Sequence, residues 1–215
     1  MKTRKTKTLV LSLGLLVGFV LWTVALRFWD VQAIGPRESA VGLATLNRYF
    51  HHLTGVHMTL YVVTDWLGLV PFGIAVGFAV LGLAQWIRHK HILRVDYSIL
   101  TLGGFYLLVI AAYLFFEQYH VNYRPVLING YLEVSFPSST TLLVMSVMPT
   151  TAMQAKARIK HPVCRRWTVF AIAAFTAFMV AGRTVCGVHW LTDIIGGGLL
   201  SNGLVGLYAA ANERA

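Results

Sequence analysis

Long apolar stretches separated by short polar connections dominate the chain. The first runs from Thr8 to Phe28, behind a basic start of Lys2, Arg4, Lys5 and Lys7. It exceeds the roughly 7 to 15 residues of a signal-peptide core and therefore reads as an uncleaved first span. Further spans are expected from Met58 to Ile87, Val95 to Phe116, Ser138 to Met153, Trp167 to Gly182 and His189 to Ala211. The first, second, third and sixth exceed the ~20 residues that cross a bilayer, and the fourth and fifth are shorter. The fourth also carries Pro149, which is expected to kink or end it. Between the first two spans, Leu43, Leu46, Phe50 and Leu53 share one helical face while Arg48, His51 and His52 share the other, the pattern of a short helix lying in the interface. The prediction is an all-α integral membrane bundle of six transmembrane helices, with residues 1–215 forming one membrane-embedded domain.

Composition excludes the soluble alternative. With 57% hydrophobic and 12% charged side chains in 215 residues, the chain cannot hide its apolar surface in a water-soluble core. The formal net charge of +10 could suggest nucleic acid, but the cations lie in short loops beside apolar runs, where they orient a membrane chain. Placing the N-terminus in the cytoplasm assigns to that side Lys2, Arg4, Lys5, Lys7, Arg88, Lys90, Arg94, Lys156, Arg158, Lys160, Arg165, Arg166 and Arg214, which is 13 of the 18 Lys and Arg. Arg27, Arg37, Arg48, Arg124 and Arg183 fall on the other face. Both termini are then cytoplasmic, in a multi-pass protein of the cell membrane whose partner is the lipid bilayer and not nucleic acid.

Cys164 and Cys186 are expected near opposite faces and cannot pair. No Cys/His cluster has metal-ligand spacing, and His51, His52, His57, His89 and His91 read as interfacial or loop histidines.

Three polar constellations, residues 117–125, 137–141 and 182–193, all fall on the outer side. In the last, Arg183, His189 and Asp193 are wedged between apolar runs, where charge is expensive and points to function. If a helix begins near Val188, His189 and Asp193 stand at i and i+4, close enough for the carboxylate to accept an imidazole N–H and fix the tautomer. The free ring nitrogen can then act as a nucleophile, with Arg183 offering charge to a phosphate. From this stretch alone, an internally satisfied His–Asp pair beside an interfacial arginine remains an equal alternative. Arg124 is the single basic residue of the first constellation. In the second, Pro137 precedes Ser138, Ser139, Thr140 and Thr141 at the start of a span, where free amides and hydroxyls can hold an anion.

The order Arg124-Pro125, Pro137-Ser138 and Arg183-x5-His189-x3-Asp193 resembles the type 2 phosphatidic acid phosphatase superfamily, whose pattern reads K-x6-R-P, P-S-G-H and S-R-x5-H-x3-D. The resemblance implies that His189 attacks phosphorus, that Asp193 orients it, and that Arg124 and Arg183 hold the phosphate oxygens. Ser138, Ser139 and Thr140 would assist in binding. It also implies a lipid phosphate substrate and chemistry without a metal ion or other cofactor.

Three positions depart from that pattern: Glu117 replaces the lysine, Ser139-Thr140 the Gly-His, and Gly182 the serine. The family histidine at position 140 is the general acid, a role threonine cannot fill at neutral pH. An alkoxide leaving from a monoester needs that proton, whereas a phosphate leaving from a diphosphate needs it far less. The expected substrate is therefore a polyprenyl diphosphate, with undecaprenyl diphosphate cleaved to the monophosphate on the outer face through a phosphohistidine. A loop histidine, His120, is an alternative proton source. The alternative function is a protein that binds or translocates a lipid phosphate without hydrolysing it.

Overall fold

The computed structural model describes residues 2–213, so that Arg214, counted above among the cytoplasmic cations, lies outside them. The first apolar run forms α1 (Lys2–Phe28). A short antiparallel pair follows, β1 (Gln32–Ala33) and β2 (Ala40–Val41), and then α2 (Ala44–Thr54). The second apolar run is two helices, α3 (Met58–Leu67) and α4 (Leu69–His89), joined at Gly68, whose backbone stays in the α region. Next come α5 (Tyr97–Gln118), α6 (Ser139–Arg158), α7 (Pro162–Val185) and α8 (Leu191–Asn212).

Helix α4 continues α3 through Gly68, and ion pairs mark one end of the bundle. Arg4 meets Glu213 at 3.3 Å, and Arg158 meets Asp96 at 3.0 Å. At the opposite end, the Arg27 guanidinium lies 4.7 Å from the centre of the Tyr119 ring and donates to the His120 carbonyl.

Among the described residues five stretches, Thr3–Phe28, Met58–His89, Tyr97–Gln118, Pro162–Val185 and Leu191–Asn212, are long and apolar enough to span a bilayer. The fourth expected span, α6, has 20 residues, or about 30 Å at 1.5 Å per residue, but is more polar. Its surroundings explain that composition. Helix α6 packs against α4, α5, α7 and α8, so its Ser146, Thr150 and Gln154 are buried among protein rather than lipid. There Gln154 Nε2 donates to Tyr208 Oη at 2.6 Å, and Thr150 Oγ1 meets Tyr106 Oη at 3.2 Å, the interhelical bonds that polar groups make in a membrane bundle. Pro149 does not end the helix, which continues to Arg158. The hydroxyls of Thr150 and Thr151 reinforce the turn by bonding the carbonyls of Ser146 and Val147.

Helix α2 presents Leu46, Tyr49 and Leu53 outward, as an interfacial helix would. Its inward face differs from the expectation. His51 turns in, its Nε2 3.2 Å from the Gly187 carbonyl and its ring 5.4 Å from that of Trp190, and Asn47 is fully buried. Packing against the bundle, rather than the apolar stripe, decides which side faces in.

Candidate active site

The α5–α6 connection is a folded-back loop rather than a slack one. Arg124 N donates to Glu133 O at 3.0 Å and Ser135 N to Asn122 O at 2.9 Å, so Asn122 and Arg124 stand beside Glu133 and Ser135. Beneath it, Phe136 stacks on Phe19 at 5.9 Å and meets Phe116 edge-on at 5.6 Å, pinning the loop to α1 and α5.

The loop between α7 and α8 carries His189. Helix α8 begins at Leu191, not near Val188, with Trp190 as its cap. Asp193 stands at the third helical position, and its carboxylate reaches back to accept Trp190 N at 3.0 Å, capping the first turn of α8. His189 therefore lies outside the helix, and the direct i, i+4 bond to Asp193 does not form. Ser135 stands between them, its Oγ 3.0 Å from His189 Nδ1 and 2.5 Å from Asp193 Oδ2. Asn122 Nδ2 holds the other carboxylate oxygen at 3.1 Å.

The remaining ring nitrogen faces cations. His189 Nε2 lies 3.3 Å from Arg124 Nη1 and 3.2 Å from Arg183 Nη2. Burial, and after it the charges of Arg124 and Arg183, hold the His189 imidazole well below its ordinary pKa, so it is neutral at physiological pH. A neutral ring with a lone pair between two guanidinium forks is suited to attack an anion those forks hold.

Each arginine is braced. Arg183 is 1% exposed, and its Nη1 reaches the Tyr61 carbonyl at 3.5 Å, Thr64 Oγ1 at 3.4 Å and Asp65 Oδ1 at 3.6 Å, all on α3. Its Nε has no hydrogen-bond partner among the described residues. Arg124 Nε approaches Glu133 Oε2 at 3.0 Å, an ion pair too misaligned to count as a hydrogen bond. The Tyr61 ring underlies both cations, 4.8 Å from the Arg183 Cζ and 5.7 Å from the Arg124 Cζ, within cation–π range. Glu117, standing where the family pattern has lysine, does not pair with Arg124; it accepts from Tyr113 Oη at 3.3 Å.

Gly182, where the pattern has serine, has a steric cause. A Cβ there would sit 2.7 Å from Thr64 Cγ2, so the glycine lets α7 approach α3 and bring Arg183 to its brace.

A cavity of about 650 Å³ opens over this cluster, and Arg124, Ser135, Ser139 and His189 line it together with Glu117 and His120. The hydroxyl cluster disperses around it. Ser138 Oγ caps its own helix, accepting Thr141 N at 3.4 Å and Thr141 Oγ1 at 3.1 Å. Thr140 is buried and does not line the cavity, leaving Ser139 as the one hydroxyl of 138–141 that does. His120 has both ring nitrogens engaged, with Tyr123 Oη at 3.2 Å and the Glu117 carbonyl at 3.1 Å.

Sequence reasoning gave no role to Ser135, Tyr61, Thr64 or Asp65, and held Asn122 only as part of the 117–125 constellation. Only Asp65, an acid close to an apolar span, gave a signal of its own.

A multi-span membrane bundle holding a neutral imidazole between two arginines under a polar cavity is the build of a membrane phosphatase. The sequence matches the PAP2 superfamily over residues 101–214, and the chain belongs to that superfamily. Among solved structures, a transmembrane PAP2-type phosphatidylglycerolphosphate phosphatase from Bacillus subtilis is similar in fold, with a TM-score of 0.55 at 17% identity over 92% of this chain and 94% of that one. Comparison with curated proteins gave no match. Family and fold together support lipid phosphatase activity in general.

Proposed function

We propose that the protein is a lipid diphosphate phosphatase, cleaving undecaprenyl diphosphate or a close polyprenyl relative to the monophosphate through a phosphohistidine on His189. The observation that carries this reading is the Nε2 atom of His189, 3.3 and 3.2 Å from the Arg124 and Arg183 guanidinium groups. In the first step Nε2 bonds to the terminal phosphorus while the bridging P–O bond breaks, and the lipid monophosphate departs. Water then attacks the phosphohistidine, restoring the imidazole and releasing inorganic phosphate. Arg124 and Arg183 offset the charge on the transferred group in both steps.

The choice of a diphosphate rests on the leaving group. Thr140 supplies no proton and stands off the cavity, and both nitrogens of His120 are occupied. A leaving phosphate, unlike a leaving alkoxide, departs without one. The excess of Lys and Arg on the opposite side of the bundle favours an active site facing outward, with cytoplasmic termini. Once the phosphate is held by side chains alone, the reaction needs no metal.

Phosphate release from undecaprenyl diphosphate, undecaprenyl phosphate and phosphatidylglycerophosphate in detergent tests the reading. Faster turnover of either monoester overturns the diphosphate assignment. An acid-labile phosphoenzyme, present in wild type and absent in His189→Ala, separates hydrolysis from mere binding or translocation of a lipid phosphate.

A further inference from the structure

We infer that Ser135 is a positioning residue that carries the orienting effect of Asp193 to His189, as the middle member of a His189–Ser135–Asp193 chain. This deepens the functional reading above, on which it rests for the role of Nε2.

Asp193 makes no direct bond to His189. Its Oδ2 accepts Trp190 N at 3.0 Å in the helix cap as well as Ser135 Oγ, and its Oδ1 accepts Asn122 Nδ2 at 3.1 Å. Ser135 Oγ fills the gap, and it is fixed from behind by the Ser135 N to Asn122 O bond and by the packing of Phe136. Ser135, His189 and Asp193 are all nearly inaccessible to solvent.

Donor and acceptor arithmetic selects one proton arrangement. Ser135 Oγ has a single hydrogen, and the carboxylate at 2.5 Å is an acceptor only. The hydroxyl therefore donates to Asp193 and accepts from His189 Nδ1–H at 3.0 Å. Nε2 is then bare and turned toward guanidinium donors. The reverse arrangement sets an Nε2–H against two cations and leaves Asp193 Oδ2 facing an oxygen lone pair, two repulsions in a buried site. Ser135 as the nucleophile fails on the same grounds, because its oxygen faces the acid and the ring rather than both arginines.

The test uses full-length protein in detergent micelles, labelled with 15N-histidine, with His189 assigned by its absence in His189→Ala. The expected wild-type spectrum shows a hydrogen on Nδ1 and none on Nε2; a hydrogen on Nε2 overturns the proposal without any activity assay. Kinetics on undecaprenyl diphosphate supply the second readout. Ser135→Ala is expected to lower kcat by about 10²- to 10⁴-fold, the scale set by losing the group that fixes a catalytic tautomer, with KM changed by less than about threefold. Adding Asp193→Asn to Ser135→Ala should then cost less than about a further threefold, since the acid acts through the missing hydroxyl. Multiplicative losses mean that Asp193 works without Ser135 and overturn the proposal. Wild-type protein that holds the Nδ1–H tautomer yet forms no phosphohistidine supports the hydroxyl chain and refutes the phosphatase reading.

Discussion

Replacing Arg183 with lysine separates charge from geometry. The guanidinium is seated against α3 through Nη1 and presents Nη2 to His189 Nε2 at 3.2 Å, while Nε has no hydrogen-bond partner among the described residues. Nη2 and Nε share one edge of the guanidinium, the pair of donors whose spacing fits two oxygens of one phosphoryl group. Lysine keeps the charge but cannot hold its brace and offer two directed donors together. The loss of one charge-assisted hydrogen bond is worth about 1.5–3 kcal/mol. At 1.36 kcal/mol per decade, that is roughly a 10- to 150-fold fall in kcat/KM. Folding should survive, because Asp65 is 57% exposed and can turn to water, and Thr64 Oγ1 keeps its bond to the Leu60 carbonyl at 2.8 Å. The assay is initial phosphate release by Arg183→Lys in detergent, with a monodisperse gel-filtration profile as the folding control. Activity within threefold of wild type would refute the fork and leave Arg183 as a point charge.

Other perturbations probe neighbouring parts. Glu133→Gln frees Arg124 from its rim ion pair, in which the acid is 42% exposed; KM should fall by about two- to fivefold, the range of a partly exposed pair, and an increase in KM would mean that Glu133 binds substrate. Gly187 adopts φ +69°, and a Cβ there would sit 1.9 Å from the Gly55 carbonyl. Gly187→Ala should therefore displace the His189 loop and lower thermal stability by about 2 kcal/mol or more, measurable as an earlier melting transition, whereas an unchanged transition would mean the loop has slack. His189 also couples stability to acidity. Its folded pKa is depressed, so below the unfolded value of 6.5 the unfolded chain takes up a proton that the folded chain refuses. Stability is full above pH 6.5 and declines as pH falls toward the folded value, by up to about 1.4 kcal/mol per unit. The melting temperature of wild type, less that of His189→Gln, should drop between pH 7.5 and 5; a flat difference rejects the neutral buried ring.

Apolar periodicity carries the spans because lipid leaves little latitude: a helix of bilayer length must be apolar where it faces hydrocarbon. Helix α6 escapes that rule by being enclosed, so its composition reports its neighbours rather than the membrane. The motif residues Arg124, Arg183, His189 and Asp193 were visible because charge is rare in such a chain. Ser135 and Tyr61 were not, since a serine or tyrosine near a span end is ordinary and only the folded loop and the α3–α7 contact give either a role. The His189–Asp193 pairing was misjudged for a local reason: spacing fixes neighbours only inside a helix, and this helix starts two residues after the histidine.

The α3 seat under Arg183 and the Asn47 bonds to Thr192 Oγ1 at 3.0 Å and from Thr192 N at 3.3 Å come from chain that precedes residue 101, where the superfamily match begins. A fragment starting there would keep each reacting group and lose the anvil on which they are set. Substitutions in that first stretch of chain would reshape what lies behind the arginine while leaving the motif residues untouched.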